Sequence, residues 1–309
     1  MKVGLVYDEL YLKHDYPDHP ERKERLTAIM EALDKEALLR EVSLIKPRRA
    51  TAEEVALNHD LAYIQEVHDF CKAGGGFLDP DTYATQDSYD VALQAVGGVL
   101  EGIERILKKE LEAVFCAVRP PGHHAEYAKA MGFCLFNNVA VGARYLQRKG
   151  VEKIFIVDFD AHHGNGTQRS FYQDSSVFFF STHQYPFYPG TGSAQEKGAG
   201  AGEGFTLNVP MPAGAGDEEY APVYGKLLPK VMEDFGPNFV LVSAGYDLHS
   251  DDPLTYLNVS TEGVRQIVRS IIRSCKALNV PVLFTLEGGY NLRALGECAV
   301  VTIEEMLGN

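Results

Sequence analysis

Residues 154–167 read IFIVDFDAHHGNGT, so two carboxylates and two histidines follow four apolar residues that look like a buried strand. A buried charge without a partner costs roughly several kcal/mol, so Asp158, Asp160, His162 and His163 all need partners. In an extended segment, residues two apart point to the same side. Asp158, Asp160 and His162 therefore share a face, and His163 points away. Asp160 and His162 can close on one divalent cation. Asp247, just past a second apolar run at 239–244, can supply a third ligand. One nitrogen and two oxygens with positions left open suit a catalytic Zn(II) or Fe(II) rather than a structural site. The bland alternative is a hydrogen-bonded polar cap on the sheet.

A bound divalent ion acidifies its water and polarises a carbonyl oxygen, which calls for a base. The run Gly122-His123-His124 follows another apolar segment and offers adjacent imidazoles that titrate near neutrality. Each needs an orienting partner on its other nitrogen. Asp158 is the natural partner for His123, and Asn165 for His124. In Glu287-Gly288-Gly289-Tyr290, the glycines allow a close backbone approach that can swing the Tyr290 hydroxyl over the metal. There it can donate to a developing oxyanion.

These groups must be positioned by a scaffold. Short apolar, β-branched runs recur at 3–7, 113–118, 153–158, 177–181, 239–244 and 280–286, without in-and-out alternation. That pattern fits strands buried on both faces of a parallel sheet. Helical periodicity fills 24–39, 88–111 and 261–278, with Ser260 as N-cap of the last. The alternation predicts one doubly wound α/β domain across 1–309. Ligands of open α/β sheets bind beyond the carboxyl ends of strands. Here RPPGHH, FDAHHGNG, TH, GYD and EGGY follow successive strands and carry ionisable or hydroxyl groups to one edge. The Gly-rich stretch 196–205 leads into TLNVPMP rather than a helix, so it reads as a flexible surface loop and not a phosphate cradle.

Composition narrows the partners. The chain has 309 residues, 43 acidic against 29 basic side chains, and a formal net charge of −14. This argues against direct nucleic-acid binding and is compatible with cationic substrates. The five scattered cysteines form no CxxC pair and read as reduced, buried thiols. No signal peptide or membrane span is legible, so a cytoplasmic protein is expected. In that setting Asn258-Val-Ser is a chance sequon. His14, His19, His59 and His68 read as surface or capping groups, and His163 and His183 as packing.

With these residues assembled, the sequence resembles the histone deacetylase superfamily. HPERKERL (19–26), RPPGHHA (119–125), GFCLFNNVA (132–140), VDFDAHHGNGTQ (157–168), YPGTG (188–192), SAGYD (243–247), DDPL (251–254) and LEGGYN (286–291) match its motifs in order. GNGT and HPER resemble the class II branch and its bacterial relatives. The resemblance implies the arginase–deacetylase fold, a mainly parallel sheet of about eight strands with helices on both faces. It implies Asp160, His162 and Asp247 as ligands of Zn2+, with Fe2+ as the alternative in the cell. It implies His123 and His124 as the acid/base pair and Tyr290 as the carbonyl-polarising group. Gly132, Phe133 and Tyr188 would line an acyl-lysine tunnel, with Leu254 at its mouth and Arg25 by an inner acetate pocket. Asp79 or Asp81 would hold the substrate backbone at the rim. Asp158, Asp160, His162 and Ser181 would frame a structural K+ site.

Two departures stand out. Asn165 replaces the aspartate of class I, which is expected to leave His124 less readily protonated, and Tyr188 replaces a frequent phenylalanine. The expected activity is removal of acetyl or related acyl groups from lysine in peptides or proteins. An acetylpolyamine amidohydrolase uses the same machinery, but Leu254 stands where polyamine-selective relatives carry an acidic gatekeeper. An arginase-type ureohydrolase needs a second metal, whose ligand positions hold Gly164 and His249. An inactive acyl-lysine-binding scaffold conflicts with the intact site. No sequence feature specifies an oligomeric state.

Overall fold

The computed structural model describes residues 1–308. Its strands are β1 (Val3–Val6), β2 (Ser43–Ile45), β3 (Ala113–Cys116) and β4 (Ile154–Asp158). They continue with β5 (Val177–Gln184), β6 (Thr206–Met211), β7 (Phe239–Ala244) and β8 (Val282–Leu286). These form one 8-stranded sheet in the order β2-β1-β3-β8-β7-β4-β5-β6. Every neighbouring pair is parallel. The central strands are buried along their whole length, as their unbroken apolar runs require.

Parallel strands need crossovers, and helices supply most of them. The principal ones are α1 (Glu24–Lys35), α2 (Ser88–Leu107), α3 (Asn138–Arg148), α4 (Asn165–Phe171), α5 (Thr261–Leu278) and α6 (Leu292–Leu307). α2 and α3 pack on each other and cover β1, β3, β7 and β8, while α1, α5 and α6 form a second layer. Caps fix where the helices begin. Asn137 accepts from Ala140 N–H, Ser260 from Gly263 N–H, and Asn291 from Ala294 N–H.

Register delivers the site. Asp158 pairs with Ser181 on one side and Ser243 on the other, and Leu286 pairs with Ala244. The carboxyl ends of β4, β5, β7 and β8 therefore reach one edge together, beside the segment that leaves β3.

Several expectations need correction. α1 ends at Lys35, because Ala37 turns left-handed (φ 58°) and sets Leu38 in a short 3-10 turn where it is buried. α2 ends at Leu107, with Lys109 left-handed before the chain enters β3. The edge strands β2 and β6 carry no strong sequence signal, being short or interrupted by polar residues and Pro210. The Gly-rich stretch is more tied down than a free surface loop. It makes one 3-10 turn at Gly200–Gly202, and Glu196 accepts from Gly192 and Ser193 N–H groups. His14 and His59 are buried, not surface groups. His14 stacks on Tyr83, and Nε2 of His59 accepts from Asn137 N–H at 2.8 Å. All five cysteines are unpaired and buried. No described helix is long and apolar enough to cross a membrane.

Candidate active site

β4 ends on Asp158, and the next residues turn across the carboxyl edge of the sheet. Nδ1 of His162 lies 3.2 Å from Oδ1 of Asp160 and 2.9 Å from Oδ2 of Asp247. One donor atom from each of the three residues lies within 4.8 Å of the others. Both carboxylates are braced by main-chain donors. Ala161 N–H donates to Asp247 at 2.8 Å, and Gly288 N–H donates to Asp160 at 2.8 Å. Gly288 and Gly245 must be glycine for this approach, since a Cβ at either would fall on the Asp160 carboxylate.

The donor set fits a divalent cation. Asp158, Asp160, Asp247 and Glu287 are all buried around two imidazoles. Burial pushes Asp247 up to about 7, with the Asp160 charge adding to it. Burial also raises Asp160, but His123 and His162 outweigh it and hold that carboxyl below the usual range. His162 resists the depression that burial causes because Asp160 and Asp247 push it up to about 10. Such crowding of buried carboxylates around one imidazole, whose protons a cation can displace, is the chemistry of a cation site.

The paired histidines leave β3 through a loop held from below. Glu287, pushed up to about 7 chiefly by burial, accepts from Gly122 N–H at 2.6 Å and His123 N–H at 3.1 Å. His123 Nδ1 lies 3.0 Å from Oδ2 of Asp158, and His124 Nδ1 lies 2.8 Å from Oδ1 of Asn165. The two rings are 4.0 Å apart. Burial depresses His123, yet Asp158 and Asp160 reverse this and push it up to about 10. His124 is held well below its ordinary value, first by burial and then by the charges of His123 and His162. Sequence reasoning assigned that direction to the neutral Asn165; the Asn165 hydrogen bond itself acts the other way.

Tyr290 follows β8 and is part-buried. Its main-chain N–H donates to Asp252 at 2.7 Å, and its hydroxyl is held protonated by burial. Arg25 from α1 is fully buried beneath it. Nε donates to Gly289 O at 2.7 Å, Nη2 to Glu287 O at 2.5 Å and Nη1 to Glu21 at 3.0 Å. Glu21 also pairs with Arg119, so one buried carboxylate serves two buried guanidiniums.

The expected tunnel residues surround this centre. Gly132 (φ 56°) lies so close to the His124 ring that a Cβ would overlap it. The Phe133 ring meets Tyr290 edge-on at 5.7 Å, and Tyr188 meets His124 edge-on at 5.2 Å. Leu254 is part-buried, its N–H donating to Asp252. Asp79 and Asp81 lie on the turn between the paired segments Gly76–Phe77 and Tyr83–Ala84. Asp79 accepts from Asp81 and Thr82 N–H groups, while Asp81 lies against the Gly132 backbone and is raised by burial and by Asp79. Ser181 is buried, with its hydroxyl 2.8 Å from His183 Nδ1. His163 faces away from the trio, although the chain bends at 160–162 instead of running extended, and its Nδ1 lies 2.8 Å from Thr191 Oγ1. His183 Nε2 lies 2.8 Å from Gly192 O, so both histidines fasten the loop that carries Tyr188.

Sequence reasoning gave no role to Glu287, Asp252, Glu21, Arg119, Glu126 or Phe187. The first four sit inside the quoted motifs, where their density of charge beside apolar runs was the available signal. Phe187 stacks on His162 with ring centroids 5.5 Å apart, and only its adjacency to Tyr188 pointed to it.

Comparison with known proteins identifies relatives of the whole chain. The family model described as "Histone deacetylase domain" matches residues 19–306. A "Probable deacetylase" of Archaeoglobus fulgidus is 41% identical over 296 residues, covering 94% of this chain and 82% of its own. "Histone deacetylase 14, chloroplastic" of Arabidopsis thaliana is 38% identical over 324 residues, covering 98% and 77% respectively. The solved structure of the HDA15 HD domain superimposes with a TM-score of 0.95 at 36% identity, covering 100% of this chain and 88% of that one.

Proposed function

The chain belongs to the histone deacetylase family, and from that premise we propose that residues 1–309 act as one catalytic domain that removes acetyl or related acyl groups from lysine side chains in peptides or proteins. The observation that carries the proposal is a convergence. His124 with its Asn165 partner, the Asp160–His162–Asp247 trio and the Tyr290 loop meet at one sheet edge. Asp160, His162 and Asp247 would hold Zn2+, with Fe2+ as the alternative, and Asp158, Asp160, His162 and Ser181 would frame K+. When bound, the divalent ion polarises the acyl carbonyl and acidifies the attacking water.

The chain's own residues do the rest. His124 is neutral, and with its Nδ1 engaged by Asn165 it takes the proton of the attacking water at Nε2. It returns that proton to the lysine amine as the C–N bond breaks. His123, kept cationic by Asp158 and Asp160, places positive charge beside the reaction. The Tyr290 hydroxyl donates to the oxyanion that develops on the acyl carbonyl. Phe133 and Tyr188 flank the extended lysine side chain and exclude water. Asp79 or Asp81 would hold the substrate backbone at the rim, and Arg25 would stand by the acetate product while steadying Tyr290. Leu254 at the mouth offers no carboxylate to a second ammonium, which favours a peptide over an acetylpolyamine.

The test is turnover of an acetyl-lysine peptide and of acetylputrescine by protein loaded with Zn2+, with and without a chelator. Chelator-sensitive turnover with preference for the peptide is expected. Preference for the polyamine, or turnover indifferent to the chelator, overturns the proposal.

A further inference from the structure

Asn165 opens α4 directly behind His124, and its amide is not free to point either way. Oδ1 lies 2.8 Å from His124 Nδ1, while Nδ2 donates to Oε1 of Glu126 at 3.0 Å. Two weaker acceptors, His124 O and Met131 Sδ, each lie 3.4 Å from the same nitrogen. The other Glu126 oxygen takes a hydrogen bond from Arg169 at 3.0 Å. Reversing the amide would press its oxygen against the Glu126 carboxylate and leave two acceptors facing each other.

This orientation has a chemical consequence. An amide oxygen only accepts, so the ring proton of His124 must sit on Nδ1 and the lone pair on Nε2. A reversed amide would demand the opposite tautomer and put the proton where the base needs its lone pair. We propose that Glu126 is a positioning residue that sets the His124 tautomer by orienting the Asn165 amide. The proposal rests on the reading of His124 as the base. An aspartate at 165 would need no such orientation, because its two oxygens are equivalent. It would instead place a second carboxylate beside Glu126, where like charges repel.

Glu126 suits this role because it is not part of the core. Its side chain is 22% exposed, and with Asn165, Gln168 and Arg169 it lines a solvent-open cavity of about 810 Å3. Its replacement therefore removes the hydrogen bonds to Asn165 and Arg169 rather than a packing element.

The experiment compares Glu126→Gln and Glu126→Leu in the parent and in Asn165→Asp. In the parent, Glu126→Leu is expected to lower kcat by about tenfold with KM held within about twofold. Glu126→Gln, whose amide oxygen accepts the same bond, retains most of the activity. In Asn165→Asp the sign reverses, and Glu126→Leu raises kcat by relieving the repulsion. Imidazole 15N correlation spectra of the metal-free protein give a second readout, with the His124 signals assigned by comparison with His124→Gln. The parent and Glu126→Gln show Nδ1–H, and Glu126→Leu gains Nε2–H. An unchanged kcat in Glu126→Leu, an equal loss in both backgrounds, or an unaltered tautomer overturns the proposal. The spectra decide it even if the deacetylase reading fails, because they require no turnover.

Discussion

The guanidinium carbon of Arg25 lies 4.9 Å from the centroid of the Tyr290 ring, and the same side chain donates to the main-chain carbonyls of Glu287 and Gly289. One cation thus grips the Tyr290 loop by its ring face and by its backbone. Lysine cannot reproduce that planar fork. Arg25→Lys is expected to lower kcat by up to ~100-fold, since misplacement by about 1 Å is enough. Metal content should be unchanged. Parent-like turnover would show that the grip is incidental.

In the proposed mechanism the Tyr290 hydroxyl, just past β8, donates to the oxyanion. Tyr290→Phe should lower kcat by about 100- to 1,000-fold while leaving binding of a hydroxamate inhibitor nearly intact. Full activity in this variant would remove Tyr290 from the chemistry.

Glu21 holds Arg25 and Arg119 together where none of the three is exposed. Breaking a buried ionic cluster by neutralising one member costs about 3–5 kcal/mol. Glu21→Gln should show that loss in chemical denaturation. The Arg119 charge holds the Glu21 carboxyl well below the usual range despite burial, so this contribution is present above about pH 4.5 and fades as acid titrates the folded state. A variant as stable as the parent at pH 7 would contradict the assignment.

Metal loading should depend on pH. In the free site His162 is pushed up to about 10 and Asp247 to about 7, so a cation must displace their protons. Lower pH favours the protonated empty site, and affinity rises with pH. Zn2+ affinity in chelator competition should increase at least about 100-fold from pH 6 to pH 8, roughly tenfold per unit for the His162 proton alone. A flat response would mean that these groups are not the ligands.

His59, bonded to the Asn137 main chain, supplies an acid-labile point. Burial lowers it to about 4, against an ordinary value of 6.5. It is neutral when folded, so its contribution is full above about pH 6.5 and is lost as pH falls toward 4. The difference corresponds to about 3 kcal/mol. Stability measured across that range should fall less steeply in His59→Gln than in the parent. Identical slopes would place the acid sensitivity elsewhere.

What could be read from the sequence was what depends on local periodicity. The buried parallel strands were legible because their apolar runs do not alternate. The Asp160–His162 pair was legible from its residue types and its place just past a strand end, although the chain bends there and is not extended. The edge strands β2 and β6 were not legible, because β2 is a short strand with Ser43 and Leu44 exposed and β6 is interrupted by Thr206, Asn208 and Pro210. His14 and His59 were misread because nothing local distinguishes a buried neutral histidine from an exposed one. The grip of Arg25 on Tyr290 and of Glu126 on Asn165 joins distant segments, and such relations exist only once the sheet has formed.

The position of β8 has a consequence for how the enzyme is made. It is the last of the eight strands in sequence, yet it lies between β3 and β7. A nascent chain that lacks it holds two half-sheets with open edges. His123 then lacks the Glu287 carboxylate beneath its N–H, and Asp160 lacks the Gly288 N–H. The proposed ligands Asp160, His162 and Asp247 all precede β8 in sequence, but the site is complete only with residues 282–290 in place between the halves. The proposed amidohydrolase site is therefore incomplete in any chain that stops short of β8.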